Sequence, residues 1–522
     1  MKHFTAEQLN NCSKEELIAH FLSAQQENEH MQEQLAVMLA GKYGRKTEKL
    51  AECSGQESIF NEVEATANFA MAEPEIEQVV KRKKAAGKRE QDLSKFPKVI
   101  ISHELQEEEL RETFGDKGWK RLPDQIYSKL HVKPAVYEVY EHHIAVYASL
   151  DSQMIVKAPH PAELLSNSIA TPSLVAGIMN AKYTNAMPLY RIAQEFERYD
   201  VAISRQTMSN WVIRCAERYL SLVCDKMREQ LCQRHTIQAD ETTVKVSKDG
   251  RAAGSESYMW VYRSGEYDCE APIIFYEYQK TRGAKHPQEF LKEFSGALVC
   301  DGYSAYHKLG KENSKIQIAN CWAHARRRFS NAQKALKGPN KQSAKKTLAH
   351  KALILIGQIY AMDEKGADLS GAARTEYRQR EVAPLVEAYF AWVKEHRDHV
   401  PAKSETGEGF TYSLNQEAYL KAFLTDGSIP LDNSASERAI RPFTVGRKNW
   451  MMIDTEHGAK ASAMIYSLVE TAKANHLKPY EYLKHLLTEI PKHMDDTNTD
   501  FLANLLPWSE NLPADCRKTT TK

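Results

Sequence analysis

Between residues 235 and 335 the hydrophobic pattern keeps switching between strand and helix periods, and that order constrains the fold more than any other feature. Residues 236–246, 258–263 and 272–278 read as three strands joined by polar connections. Residues 287–294 read as a short helix and 297–301 as a fourth strand. A further short helical stretch precedes a fifth strand at 315–320. The order βββ-α-β-α-β predicts a mixed sheet covered by helices, an α/β layer fold.

Three acidic residues occupy distinct settings in and after this pattern. Asp240 lies inside the first strand, in His235-Thr-Ile-Gln-Ala-Asp240-Glu241. Aspartate is a poor strand residue, so it needs a local reason: a metal, a surface position or a hydrogen-bonded turn. Glu241 should point to the opposite face, because side chains alternate along a strand. Asp301 closes the run Ala297-Leu-Val-Cys-Asp301 and precedes Gly302. Asp-Gly is a common turn pair, but a strand's carboxyl end is also where α/β sheets place ligands. Glu437 stands at a helix start and could equally pair with Arg441 one turn on.

Each acid alone has a plain structural explanation. Their order is stronger evidence: two carboxylates on strands and one on a later helix can hold a pair of divalent ions, the chemistry of phosphodiester cleavage and transfer. Mg²⁺ prefers hard oxygen ligands and takes few carboxylates, leaving water and phosphate to complete its shell. Asp240 is expected to bridge two ions, with Asp301 and Glu437 each completing one.

At 522 residues the chain exceeds one ordinary domain, and three or four units are expected. Basic and acidic residues nearly cancel, 70 against 69, so nucleic-acid binding must come from local patches. Such patches are Lys81 to Lys84, Arg326 to Arg328, and Arg438, Arg441, Arg447 and Lys448. Nine scattered cysteines form no Cys-x-x-Cys pair, and the odd count argues against a disulfide framework. With a polar N-terminus and no long apolar run, a reduced, cytoplasmic protein without a membrane span is expected.

Residues 13–39 carry Leu17, Phe21, Ala24, Asn28, Met31, Leu35 and Met38 at alternating steps of four and three. Residues 1–50 are therefore read as a coiled-coil helix, implying a homodimer or higher assembly, against the alternative of an amphipathic helix on its own domain. Residues 51–95 read as a charged linker and 96–160 as a small β-rich module, with 136–140 among its strands. Residues 161–225 are helical. Within them, 188–198, a short turn and a helix capped by Ser204 give a helix-turn-helix outline. In that reading Arg205, Gln206 and Ser209 enter the DNA major groove; a plain helical hairpin is the alternative. The sheet would occupy 235–335, a helical insertion 336–428, and the rest of the sheet domain 429–490. Residues 401–430, with Gly407, Gly409, Gly427 and Pro430, read as irregular, and 491–522 as a loose polar tail.

The block Asp432-Asn-Ser-Ala-Ser-Glu437-Arg-Ala-Ile-Arg441 through Gly446-Arg-Lys-Asn-Trp450 closely resembles the bacterial insertion-sequence-66 family of DDE transposases. So do Val299-Cys-Asp-Gly-Tyr-Ser-Ala-Tyr306 and Asn320-Cys-Trp-Ala-His-Ala-Arg-Arg-Arg-Phe329. Weaker matches are Gly41-Lys-Tyr-Gly-Arg-Lys-Thr-Glu-Lys49, Met187-Pro-Leu-Tyr-Arg191 and Ser467-Leu-Val-Glu-Thr-Ala-Lys473. The resemblance implies an RNase H-like catalytic domain interrupted by the helical insertion, with Asp240, Asp301 and Glu437 as catalytic and metal-binding triad. It implies two Mg²⁺ ions, with Mn²⁺ able to substitute. It implies binding of the element's terminal inverted repeats, cleavage by water and attack of the freed 3′-hydroxyl on target DNA. Accessory proteins of the same element are implied partners.

Relatives in that family usually carry paired cysteines before the helix-turn-helix; here 90–160 contain none, and His142 and His143 cannot build a four-ligand site alone, so no zinc is expected. Cys321-Trp-Ala-His324 lacks a second half for a metal site, and His324 is expected near the reacting phosphate. Arg326, Arg327, Arg438, Arg441, Arg447 and Lys448 are the phosphate-clamp candidates. Trp450 either stacks on an unpaired base or belongs to the core. Two other functions remain compatible with this sequence: a catalytically silent DNA-binding repressor, and a resolving or repair nuclease.

Overall fold

The computed structural model describes residues 137–148, 155–158, 163–252, 254–268, 270–335 and 347–518, with isolated positions at 13–21 and 108. The heptad seam from Ala24 to Met38, the charged linker and most of the 96–160 module lie outside the described residues. What is described of that module is an antiparallel pair, β1 (Val146–Ala148) with β2 (Ile155–Lys157), in register Val146 to Lys157. The expected strand at 136–140 does not form over Tyr137 to Tyr140; Val139 and Tyr140 are largely exposed, with nothing described that would bury a pleated face.

The larger unit begins with helices. Thr171 caps α1 (Pro172–Met179) by accepting the Leu174 amide at 3.2 Å. After α2 (Leu189–Glu197) the chain turns through Asp200 at φ 59°, a left-handed conformation that aspartate tolerates better than most residues. Ser204 Oγ then accepts the Thr207 amide at 3.1 Å and starts α3 (Arg205–Cys215), as its capping chemistry predicts. The helix runs on through one wider turn into α4 (Ser221–Cys232).

The sheet comprises β3 (Thr236–Lys248), β4 (Glu256–Ser264), β5 (Ile274–Gln279), β6 (Gly296–Cys300) and β7 (Ile316–Asn320) in the order β5-β4-β3-β6-β7. The β3-β4-β5 part is antiparallel; β6 and β7 run parallel to β3. Helices α5 (Lys285–Phe290) and α6 (Ser304–Glu312) make the two crossovers, which reproduces the expected βββ-α-β-α-β order. After β7 follows α7 (Trp322–Ala335).

Strand alternation divides the interior in two. On β6, Leu298 and Cys300 join a core with the 164–231 helices, whereas Ala297 and Val299 join a second core on the other face. The second core is completed by α7 and by the insertion helices α8 (Leu348–Glu364), α9 (Gly371–Tyr377), α10 (Ala383–His396) and α11 (Glu405–Asn415). The insertion thus shares one interior with the sheet. Fully buried Arg378 anchors it: its guanidinium pairs with Asp363 at 2.7 Å and donates to the carbonyls of Phe423, Asp426 and Ile429.

Helix α11 corrects the expectation of an irregular 401–430. Gly407 and Gly409 are packing glycines, not turn glycines. A Cβ on Gly409 would sit 2.6 Å from the Phe329 ring, and one on Gly407 would run into the Pro401 carbonyl. The chain returns through α12 (Ser434–Trp450), β8 (Ile453–Thr455), α13 (Glu456–Ala474) and α14 (Pro479–Glu489). Strand β8 pairs in parallel with the far end of β3. Helix α13 closes the outer edge of β5: Thr471 Oγ1 accepts the Ile274 amide at 2.9 Å and Ser467 Oγ the Tyr276 amide at 2.8 Å.

The C-terminal segment is also a correction. Leu502, Leu505, Leu506, Leu512 and Cys516 are buried, Tyr482 donates to the Leu505 carbonyl, and the Lys478 amide donates to the Cys516 carbonyl. Its apolar residues are spaced too irregularly among prolines and polar residues to show as a periodic pattern.

Candidate active site

Asp240 sits mid-strand on β3, Asp301 immediately after β6, and Glu437 in the first turn of α12. Along β3, Gln238 and Asp240 share a face, and Gln238 Nε2 donates to Asn433 Oδ1 at 3.3 Å. Asn433, 1% exposed, precedes α12; its Nδ2 donates to the Ala239 carbonyl at 2.7 Å and its carbonyl accepts the Glu437 amide at 3.1 Å. A polar clasp therefore sets the helix carrying Glu437 against the strand carrying Asp240. The position of Glu437 beside the free amides of a helix start also suits a carboxylate.

Burial is the largest influence on Asp240, followed by the negative fields of Glu241 and Glu437 and, more weakly, Asp301. Together they push its carboxyl well above the usual range, although the Glu241 amide donates to Oδ1 at 2.9 Å and opposes the effect. Asp301 Oδ1 accepts the Tyr303 amide at 2.9 Å.

Glu241 occupies the opposite side of β3 in the sense expected. Its side chain is 3% exposed, and its Oε2 accepts the hydroxyl of buried Tyr306 at 2.8 Å. Oε1 receives Nε of Arg282 at 2.8 Å and also its Nη2. Arg282 Nη2 lies 3.9 Å from Asp301, so one guanidinium reaches from Glu241 toward the acids on the other face. Across the site, Arg327 Nη2 donates to Glu437 Oε1 at 2.9 Å. Arg282 carried no signal in the sequence, and Tyr306 and Asn433 stood only inside the motifs that carry the resemblance; the roles of all three come from contacts between distant segments.

Burial, and then the positive charge of Arg327, lower the pKa of His324, on the first turn of α7, with Asp301, Glu437 and Asp432 pulling the other way. Its Nδ1 is buried and has no hydrogen-bond partner among the described residues. Cys321 Sγ accepts the Asn433 amide at 3.1 Å, and burial pushes this thiol up to about 12. The pair is thus used separately, one in the clasp and one facing the acids.

The remaining candidates lie on several surfaces. Arg205 and Gln206 are exposed and Ser209 half-buried at the start of α3, which packs on α1, α2 and α13. Arg205 lies over the Tyr190 ring at 5.6 Å. On α7, Arg326 is exposed. On α12, Arg438 pairs with Glu266 at 2.8 Å, Arg447 donates to Thr242 Oγ1 at 3.2 Å, Arg441 is half-buried and Lys448 exposed. Trp450 is half-buried against the first core, 6.5 Å from the Tyr466 ring, with Lys182 Nζ 4.3 Å above it. A groove lined by Asp225, Arg228, Glu229, Cys232 and Glu289 contains none of the acids.

The donor set of Asp240, Asp301 and Glu437 is all hard oxygen, and the charge crowded onto Asp240 is the kind a divalent cation offsets. Among the described residues no three acidic, histidine or cysteine side chains are grouped tightly enough to enclose one ion. The donor set nonetheless fits a divalent cation by chemistry and charge.

Residues 167–461 match the Transposase IS66 family, and residues 467–508 match the IS66 C-terminal element. This chain belongs to the IS66 family of transposases. It is 30% identical over 390 residues to the uncharacterized protein y4qI of Sinorhizobium fredii, covering 73% of this chain and 70% of that one. It is also 28% identical over 398 residues to y4jD of the same organism, likewise uncharacterized, covering 74% and 76% of the two chains. No helix among the described residues is long and apolar enough to cross a membrane.

Proposed function

We propose that the chain is a DNA transposase that cleaves and joins element ends at Asp240, Asp301 and Glu437, on a sheet of RNase H-like type. The observation that carries this reading is the convergence on buried Asp240 of the fields of Glu437 and Asp301, residues far apart in the chain. The strand order β5-β4-β3-β6-β7, with three antiparallel and two parallel strands, supports the fold assignment.

Asp240, Asp301 and Glu437 would hold two Mg²⁺ ions, or Mn²⁺ in their place. When bound, such ions activate an attacking oxygen and stabilise a leaving one. The chain's own groups do the rest. The Asn433 clasp fixes the separation of strand and helix carboxylates. His324, which feels the negative fields of Asp301 and Glu437, would stand close to the reacting phosphate. Arg326, Arg327, Arg438, Arg441, Arg447 and Lys448 would neutralise backbone phosphates, Arg327 exchanging Glu437 for DNA. Arg205, Gln206 and Ser209 on α3 would read the terminal repeats. A homodimer or larger assembly, with accessory proteins of the element, would bring two ends and a target together.

The test is incubation of the purified chain with DNA carrying its element ends, a target plasmid and Mg²⁺ or Mn²⁺. Nicks bearing a 3′-hydroxyl and joined donor–target product are expected. Binding without nicking in either metal would favour a silent repressor instead, and cutting without joining would favour a nuclease.

A further inference from the structure

Among the described residues, Arg282 is a strong cation beside the acids that the phosphate-clamp candidates did not include. It follows β5, and its placement is heavily determined. Tyr303 lies beneath its guanidinium at 3.9 Å, and the Tyr303 hydroxyl donates to the Arg282 carbonyl at 2.5 Å. The Tyr303 amide meanwhile holds Asp301 Oδ1. One residue therefore orients both the arginine plane and the proposed catalytic aspartate. Glu241, buried and fixed by Tyr306, supplies the second constraint.

A guanidinium has five N–H donors in a rigid fork. Glu241 Oε1 takes two of them, through Nε and Nη2. Asp301 at 3.9 Å is beyond hydrogen-bond distance, so the other donors have no protein acceptor among the described contacts. The side chain is 41% exposed, against 3% for Glu241. The guanidinium thus stays partly open to solvent while its Nη2 lies 3.9 Å from Asp301. Planar, preoriented donors with a free edge match a phosphodiester's paired oxygens.

We infer that Arg282 is a DNA-phosphate-binding residue of this site, aimed by Glu241 and Tyr303 at a non-bridging oxygen of the strand lying across Asp301. The inference rests on the reading of the chain as a DNA-acting transposase, and extends it by naming the residue that grips the phosphate and the two that aim it.

The experiment is a binding cycle without catalysis: full-length protein, element-end duplex and Ca²⁺ in place of Mg²⁺. Single phosphates around the cleavage position are replaced one at a time by neutral methylphosphonates. Arg282→Ala should weaken binding of ordinary DNA roughly tenfold, the scale of one charge-assisted contact. It should change binding less than about twofold when the contacted phosphate is already neutral, because the two losses then coincide. Arg282→Lys should recover part of the affinity, which separates a phosphate contact from a folding defect. Glu241→Gln should weaken binding severalfold in the wild-type background and add nothing to Arg282→Ala. An equal loss at every methylphosphonate position, or no loss at all, overturns the inference. Wild-type protein that binds but never cuts in Mg²⁺ or Mn²⁺ removes the transposase reading while leaving this cycle readable.

Discussion

The side-chain amide of Asn433 donates to the carbonyl of Ala239 at 2.7 Å, joining the residue before α12 to the residue before Asp240. Gln238, the Cys321 thiol and the amide of Glu437 all meet the same asparagine. Asn433→Ala removes the donor to the Ala239 carbonyl and one of the two acceptors of Gln238 Nε2, the other being the Asp432 carbonyl, at a cost of about 1–3 kcal/mol. A lower unfolding midpoint in urea at unchanged slope is expected. Asn433→Asp should lose cleavage as well, since it adds charge beside Asp240 and removes the donor to Ala239.

Asp240→Asn, Asp301→Asn and Glu437→Gln should each reduce strand cleavage by about a thousandfold or more, because groups acting as one unit fail together. Any two combined should cost little more than one. Gel-shift affinity for element ends should fall by no more than a fewfold. Cleavage by any single variant within tenfold of wild type would remove that residue from the catalytic set.

Glu277 on β5 gives a pH-dependent stability. Burial raises its carboxyl to about 7 from an ordinary 4.5, and Oε2 has no hydrogen-bond partner among the described residues. The folded state therefore holds a proton that the unfolded chain releases between pH 4.5 and 7, so this group's contribution to stability falls as pH rises through that window. Glu277→Gln should match wild type near pH 4 and exceed it above pH 7, by on the order of 2–3 kcal/mol. Urea titrations at both pH values measure the difference. Equal curves throughout would mean that the carboxylate is hydrated in solution.

Arg378 and Asp363 form a buried pair within the insertion, and the arginine also satisfies three carbonyls. Removing the carboxylate in Asp363→Ala strands a cation in the interior and should cost about 3–5 kcal/mol. Because the insertion shares its core with β6 and β7, the loss should appear as one cooperative transition, read by circular dichroism. A separate early transition confined to the insertion would show that the two fold independently.

The strand and helix order of the sheet was legible from the sequence because its elements are short, apolar and well punctuated. The capping serine at 204 and the helical setting of Glu437 were legible for the same local reasons. Gly407 and Gly409 misled, because a glycine needed for close helix packing looks in sequence like one needed for a turn; only Phe329 and Pro401, distant or folded back, tell them apart. The C-terminal segment misled because its leucines bury without a helical or strand period. Glu241 was assigned correctly to the opposite face, but its partners Arg282 and Tyr306 lie 41 and 65 residues away, beyond what a local pattern encodes.

The outer edge of β5 is finished by Ser467 and Thr471, which follow the amides they cover by 191 and 197 residues. During synthesis β5 therefore leaves the ribosome with an open flank, and it stays open until nearly two hundred further residues have been added. A message cut short inside the insertion would release a nascent product with an unguarded sheet margin, the kind that recruits other chains into aggregates.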